Sequence, residues 1–226
     1  MAAGTPRRSY NSEGRREAAR RNRAAVLEAC RELLFREGYH ATTVRAVAER
    51  AGVSAETVYK SFGGKPGMVK ALWDITLAGD DEPVPMGDRP QVREILGTRE
   101  LGAKLRLYAA YVRGIHERVT PLFALLTQAG PDVGEVLETA ERERLTGVTA
   151  FVTHLDESGA LGPEADPAHL MDAVWALAGP QLYTQLTAGR GWSADTYEKW
   201  LADMLTAMLV PPPPQPPQPH QPLRTR

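Results

Sequence analysis

The spacing of apolar residues in the first third of the chain predicts two short helices joined by a tight turn. Apolar residues follow one helix face from Val44 to Ala51, at the i, i+3, i+4 and i+7 positions. Gly52 follows and can take the left-handed conformation that ends a helix. Ser54 then stands where it can cap a second helix, over residues 55–61. This succession is typical of a helix-turn-helix unit.

The second of these helices is predicted to present a polar face to solvent. Val58 and Phe62 lie four residues apart and point inward. The other positions are small or polar, with one aromatic side chain and one cation: Ala55, Glu56, Thr57, Tyr59, Lys60 and Ser61. The second helix of such units lies in the major groove of DNA, and this surface suits that placement. An ordinary solvated helix is the alternative.

Two further helices are predicted around this unit. One covers residues 17–36 and ends before Gly38, and the other covers residues 65–77. The preceding residues, 1–16, are rich in glycine, serine and arginine and are interpreted as a disordered basic arm. We therefore expect a helix-turn-helix domain with a linker helix over residues 17–77.

The rest of the chain alternates between turn-rich and helical stretches. Proline and glycine in residues 78–97 predict a hinge loop. Apolar residues at helical spacing then predict helices over residues 98–120, 122–128, 132–155, 166–187 with a kink at Pro180, and 193–209. Residues 98–210 are thus expected to form a second helical domain, and the proline-dense residues 211–226 a disordered tail. The sequence contains no alternating strand pattern, so we expect an all-α fold.

Charge is distributed unevenly along the chain. Residues 1–72 carry 14 lysines and arginines against seven acidic residues, whereas the remainder carries 13 against 21. The formal net charge of −1 conceals this difference. A basic first third favours the binding of a polyanion by that part alone.

The first domain resembles the DNA-binding domain of the TetR family of transcriptional repressors. The resemblance covers roughly residues 20–77. It is carried by caps, a glycine and aromatic residues at the spacing of that family: Tyr39, Thr42, Thr43, Val44, Val47, Ala48, Ala51, Gly52, Val53, Ser54, Thr57, Val58, Tyr59, Phe62 and Lys65. It implies an N-terminal three-helix helix-turn-helix domain and a C-terminal helical domain for ligand binding and dimerisation.

The resemblance also indicates which residues contact DNA. Thr43, Tyr59 and Lys65 match positions of the family that usually touch backbone phosphate. The other candidates are Arg20 and Arg23 on the first helix, and Arg45, Ser54, Thr57 and Lys60 on the helix-turn-helix unit. A half-buried core position is the alternative for Tyr59. Glu56 departs from the family pattern, and it must either avoid phosphate or accept a hydrogen bond from a cytosine amine.

The second domain of the family usually encloses an apolar pocket, which implies a small apolar or aromatic effector. The aromatic and apolar candidates for lining it are Tyr108, Tyr111, Phe123, Leu126, Phe151, Trp175 and Tyr183. Ordinary core packing is the alternative for each of them. His116 and His154 are interpreted as surface or hydrogen-bonded histidines rather than as ligand contacts.

The function implied is that of a homodimeric repressor that binds a palindromic operator in double-stranded DNA and is released by its effector. Dimerisation is expected through the two C-terminal helices. An activator, or a regulator without an effector, remains the alternative. We expect no enzyme activity, since the sequence contains no glycine-rich phosphate loop, HExxH, CxxC or nucleophile elbow.

The remaining composition points to an intracellular protein without a cofactor. Cys30 is the single cysteine, which excludes an intramolecular disulfide and suits a reducing compartment. It lies on an apolar helix face and is interpreted as a buried small hydrophobe rather than a nucleophile. No apolar run approaches the roughly 18 residues of a membrane span. We therefore expect a cytoplasmic, nucleoid-associated protein with neither cofactor nor metal.

Overall fold

The computed structural model describes residues 10–209, and their side chains from residue 14 onward. This part of the chain is all-α and contains no strand. Its helices are α1 (Tyr10–Ala41), α2 (Val44–Ala51), α3 (Ala55–Phe62), α4 (Lys65–Ala78), α5 (Pro90–Gly97), α6 (Leu101–Gln128), α7 (Gly134–Glu157), α8 (Pro167–Leu177), α9 (Pro180–Thr184) and α10 (Ala194–Leu209). Short 3-10 turns at Met86–Asp88 and Gly130–Val133, and a π-helical segment at Gln185–Gly189, complete the described structure.

Side-chain caps determine where several helices begin. Asp166 accepts hydrogen bonds from the N–H groups of Ala168 at 3.0 Å and His169 at 3.4 Å, at the start of α8. Ser193 accepts one from the N–H of Thr196 at 3.1 Å, at the start of α10. Each bond satisfies an N–H that has no partner within its helix.

The first hydrophobic core lies among α1, α2, α3 and α4, and the C-terminal half of α6 shares it. Leu34, Val47, Val58 and Leu72 are almost completely buried there. Leu122 of α6 belongs to the same cluster. The two predicted domains are therefore joined through one continuous apolar core rather than through a loop alone.

The second core is formed by the N-terminal half of α6 together with α7, α8 and α10, and α10 packs along α6. Its aromatic residues form close pairs. Tyr108 and Phe151 stack with ring centroids 4.0 Å apart, and Tyr183 meets Tyr197 edge-on at 4.8 Å. Such pairs add to the stability that burial of the rings provides.

Several boundaries differ from those predicted. Helix α1 begins at Tyr10, so residues 10–16 of the predicted disordered arm are helical. Helix α6 continues through Pro121, where the sequence predicts a break. Pro121 is exposed, and Val119 and Leu122 beside it are buried, so packing outweighs the absence of one backbone hydrogen bond.

Two other segments also differ from the prediction. The predicted hinge loop contains helix α5, which starts at Pro90 and buries Ile95. The helix predicted over residues 166–187 is interrupted at Ala178 and Gly179, between α8 and α9. The remainder of the predicted arm, 1–9, and the proline-rich tail, 211–226, lie outside the described residues.

Candidate functional site

Two hydroxyl caps and one glycine hold α2 and α3 in a fixed relation. Thr43 Oγ1 accepts a hydrogen bond from the N–H of Ala46 at 3.1 Å, and Ser54 Oγ accepts one from the N–H of Thr57 at 3.1 Å. Gly52 ends α2 in the left-handed conformation, with φ of 68°. The backbone between the helices is therefore determined at both ends of the turn.

Helix α3 is anchored by one face and exposed on the other. Val58 is completely buried in the first core, whereas the side chain of Tyr59 is 56% exposed. Glu56 and Lys60 are also exposed, and the Thr57 hydroxyl lies 2.9 Å from Ser54 Oγ. The alternative that Tyr59 is a half-buried core residue is therefore wrong.

Six of the predicted DNA-contacting residues lie on α2, α3 and their cap positions. Of these, Thr43, Arg45, Ser54, Tyr59 and Lys60 are exposed, and Thr57 is half-buried. Neither Arg45 nor Lys60 forms an ion pair with any residue between 14 and 209. Cations of this kind can pair with phosphate without first breaking an internal bond.

The other three predicted contacts are already engaged within the protein. Lys65 Nζ donates a hydrogen bond to the Tyr39 carbonyl at 2.5 Å and lies 3.7 Å from the centroid of the Tyr39 ring. Burial lowers the pKa of Lys65. Arg20 pairs with Glu17 on α1.

Arg23 has two partners in different parts of the molecule. Its guanidinium lies 5.1 Å from the centroid of the Phe62 ring, at the end of α3. It also lies 3.6 Å from a carboxylate oxygen of Asp81, in the loop after α4. Arg23 therefore contacts both the end of α3 and the loop after α4 that leads to the second domain.

Sequence reasoning missed a positioning role for Gly67. A Cβ atom at this position would lie 1.9 Å from the carbonyl oxygen of Phe62. Only glycine permits α4 to approach the end of α3 this closely. The available signal was a glycine inside the first turn of a helix, where a better helix former is expected.

A cavity of about 1450 Å³ lies between the first and second domains. Its wall combines α1, α4, α5, α6 and α7 with residues 80–87 of the loop after α4. Four of the predicted lining residues do line it: Tyr108, Tyr111, Phe123 and Phe151. A mostly apolar cavity with a few polar groups is the usual form of a small-molecule site.

The other three predicted lining residues lie elsewhere. Leu126 is fully buried in the core that α6 shares with the first domain. Trp175 is 37% exposed, and the Arg144 guanidinium lies 4.6 Å from its ring centroid. Tyr183 packs against Tyr197 in the second core. Helical spacing alone did not distinguish cavity from core because both are apolar.

Two histidines that were not predicted to be ligand contacts also lie in the cavity wall. His116 is only 3% exposed and its Nε2 lies 3.2 Å from the Ala178 carbonyl oxygen. Burial lowers the pKa of His116 to about 4, so the ring is neutral at pH 7. His154 lines the cavity as well, with Nε2 2.8 Å from Lys104 Nζ.

Residues 14–209 contain neither a reactive cysteine nor a cluster of side chains placed to bind a metal ion. Cys30 is fully buried, and burial raises the pKa of its thiol to about 12, which makes it a poor nucleophile. In the same range, no group of three His, Cys, Asp or Glu side chains is placed to hold a metal ion. Of the helices α1 to α10, none is both long and apolar enough to cross a membrane.

Residues 26–72 match the family model of bacterial regulatory proteins, tetR family. The same region is 45% identical over 47 residues to the uncharacterised HTH-type transcriptional regulator YvkB of Bacillus subtilis. That match covers 21% of this chain and only 25% of YvkB. The HTH-type transcriptional repressor ComR of Escherichia coli is 24% identical over 163 residues, which are 67% of this chain and 73% of ComR.

Solved structures have a similar fold over most of the chain. NalD of Pseudomonas aeruginosa, the secondary repressor of the MexAB-OprM multidrug efflux pump, superimposes with a TM-score of 0.65 at 22% identity. The superposition covers 86% of this chain and 98% of NalD. A TetR-family regulator from Rhodococcus sp. gives a TM-score of 0.63 at 15% identity, over 84% of this chain and 99% of that one. The helix-turn-helix unit of this chain thus matches the tetR family of bacterial regulatory proteins in sequence, and the fold of the chain is similar to that of these solved structures.

Proposed function

We propose that this protein is a homodimeric transcriptional repressor that binds a palindromic operator through α3 and is released by a small molecule in the cavity. The exposed face of α3 carries the proposal. Tyr59 and Lys60 point outward from a helix that Val58 anchors, so this face is rigid and unpartnered among the described residues. Rigid polar helices of this kind read base edges in the major groove.

Binding to phosphate is proposed for the residues that flank α3. Thr43 and Ser54 accept a hydrogen bond as caps, and the Thr43 hydroxyl retains its own proton for donation to a phosphate oxygen. The hydroxyls of Ser54 and Thr57 are bonded to each other at 2.9 Å, so one of their two protons is left for the same purpose. Arg45 adds a cation that no described residue neutralises. Lys65 would join them only after its ammonium group leaves the Tyr39 carbonyl.

A dimer is proposed because one α3 offers too few contacts for tight specific binding. Trp175 on α8 and Met204 on α10 are exposed large apolar side chains, at 37% and 36%. They lie on two of the C-terminal helices, the part of the chain through which the resemblance to the family implies dimerisation. A two-fold axis between copies would place two α3 helices roughly 34–36 Å apart and require a palindromic site.

Release by an effector is proposed from the position of the cavity. Its wall includes Arg23 of α1 and Trp73 of α4 as well as residues of α6 and α7, so an occupant touches both domains. A ligand that favours one relation of the domains shifts the population of the DNA-binding state. The names of ComR and NalD describe those two proteins as repressors, which favours repression over activation here.

Selection from a random library of duplex DNA tests the proposed function. The purified full chain should enrich a palindrome, and its affinity for that palindrome should fall steeply as salt rises. Lys199, exposed on α10, provides the control variant Lys199→Ala, which should enrich the same sequence. Enrichment of no sequence, or of one without two-fold symmetry, would contradict the proposal.

A further inference from the structure

We infer that the cavity selects a neutral, largely apolar molecule that carries a hydroxyl group. The inference rests on the effector role proposed above and adds the chemical class of the effector. Two features of the wall support it: its cations are compensated, and three of its buried nitrogen atoms have no partner.

The cations of the wall are already compensated. Three of its four arginines hold carboxylates of the wall: Arg89 with Asp80 at 2.6 Å, Arg144 with Glu141 at 2.7 Å, and Arg23 with Asp81 at 3.6 Å. The fourth, Arg20, pairs with Glu17. Lys70 lies between two further carboxylates, Asp74 at 2.6 Å and Glu143 at 3.0 Å, and these two and Glu82 are exposed. A ligand carboxylate would therefore lose its hydration without gaining a free cation among the wall residues, and a ligand ammonium would meet a carboxylate in excess only at an exposed position.

Three nitrogen atoms of wall residues are buried without a hydrogen-bond partner: Trp73 Nε1, Arg89 Nε and His116 Nδ1. All three residues are more than nine-tenths buried. Buried polar atoms in native proteins usually have a partner, and an exception calls for one that is missing, such as a ligand.

The hydrogen-bonding roles of these atoms define the missing group. The Ala178 carbonyl can only accept, so His116 Nε2 donates to it and the neutral ring leaves Nδ1 as an acceptor. Trp73 Nε1 and Arg89 Nε can only donate. A hydroxyl both donates and accepts, so it can pair with whichever of the three atoms a side-chain movement turns toward the cavity. A carboxylate cannot donate, and an ammonium group cannot accept.

Displacement of the neutral dye Nile red from the purified full chain tests this class. Four probes share one alkyl chain and differ in the head group: 1-dodecanol, methyl dodecyl ether, dodecanoate and dodecylammonium. The alcohol should displace the dye at a concentration about tenfold below that of the ether, the usual worth of one well-made hydrogen bond to a buried group. The two charged probes should be weaker than the alcohol by at least the same factor. Equal or stronger displacement by either charged probe would overturn the inference and leave the effector role standing.

Replacement of His116 provides the matched variant. In His116→Phe the advantage of the alcohol over the ether should disappear, while dye binding persists. His116→Leu, which also lacks an acceptor, serves the same purpose if the phenylalanine variant unfolds. His169→Phe, at an exposed site on α8 outside the wall, should keep the advantage. An alcohol preference unchanged in both His116 variants would contradict the inference. If neither the dye nor any probe bound or raised the melting temperature, the effector role itself would fail, and this inference with it.

Discussion

The phenol of Tyr39 donates a hydrogen bond to the backbone carbonyl of Asp132 across 3.2 Å, and so links the first domain to the turn between α6 and α7. The same residue accepts a hydrogen bond from Lys65 at its own carbonyl. Tyr39 is 6% exposed, and both bonds are partly buried. Tyr39 therefore contacts both the turn between α6 and α7 and the start of α4, beside the proposed DNA-binding surface.

Removal of the Tyr39 hydroxyl should weaken the link between the domains. We expect Tyr39→Phe to lower the free energy of unfolding by about 1 kcal/mol, the usual value of one buried neutral hydrogen bond. Urea denaturation followed by circular dichroism measures this difference. Tyr59→Phe, which removes a phenol from an exposed side chain, should leave stability unchanged. Equal stability of the Tyr39 variant and the wild type would show that this hydrogen bond carries no energy.

Gly67 should tolerate no side chain. In Gly67→Ala the new Cβ would lie 1.9 Å from the Phe62 carbonyl oxygen, so α3 and α4 must separate. We expect a decrease of about 2 kcal/mol or more in the free energy of unfolding, typical of overpacking against backbone. The matched control is Gly147→Ala in α7, where no atom lies within 4 Å of the new Cβ. There alanine, the better helix former, should raise the free energy of unfolding by up to about 1 kcal/mol. Urea denaturation compares the two, and similar stabilities would contradict the close approach of α3 and α4.

Stability should fall between pH 6.5 and pH 4 because of His116. The pKa of its buried ring is lowered from 6.5 to about 4, so in this range the unfolded chain binds a proton that the folded chain does not. The free energy of unfolding should therefore drop by about 3 kcal/mol as the pH falls through this range. The His116→Asn variant should show a shallower pH dependence, measured by urea denaturation at each pH. The same slope in the variant would assign the effect to other groups.

Glu56 should oppose the binding of DNA through its charge. It is exposed in the first turn of α3, where a carboxylate faces approaching phosphates. We expect Glu56→Gln to raise affinity for arbitrary duplex DNA by about threefold at low salt, with a smaller gain at high salt. Fluorescence anisotropy over a salt series measures this. If affinity for the selected operator fell instead, Glu56 would be a base contact, as expected of a carboxylate that accepts from a cytosine amine.

The sequence predicts the helix-turn-helix unit well because its determinants are local. Caps such as Ser54 and the left-handed Gly52 act over three or four residues, and the apolar spacing of α2 marks its buried face directly. Helix α5 was missed although Val92, Ile95 and Leu96 have helical spacing, since prolines and glycines before them indicated a loop.

The cavity could be predicted only in part, because its wall depends on how distant helices pack. Trp73 and His116 line it, yet in the sequence one reads as a core aromatic and the other as an isolated polar residue. Leu126 lies on α6 between Phe123 and Thr127, which both line the cavity, yet its own side chain is fully buried in the first core. No periodicity in the sequence distinguishes these neighbouring positions.

The central claim is that the exposed face of α3 recognises operator DNA, and one comparison of affinities tests it most directly. The palindrome enriched by the wild-type chain is titrated with Thr57→Ala, Lys60→Ala and the control Lys199→Ala in a gel-shift assay. Each α3 variant should bind about tenfold or more weakly, since removing one specific interaction from a protein–DNA interface costs roughly 1–3 kcal/mol. Lys199→Ala should bind as the wild type does. Wild-type affinity in both α3 variants would contradict the account, because the surface from which it is built would then not touch DNA.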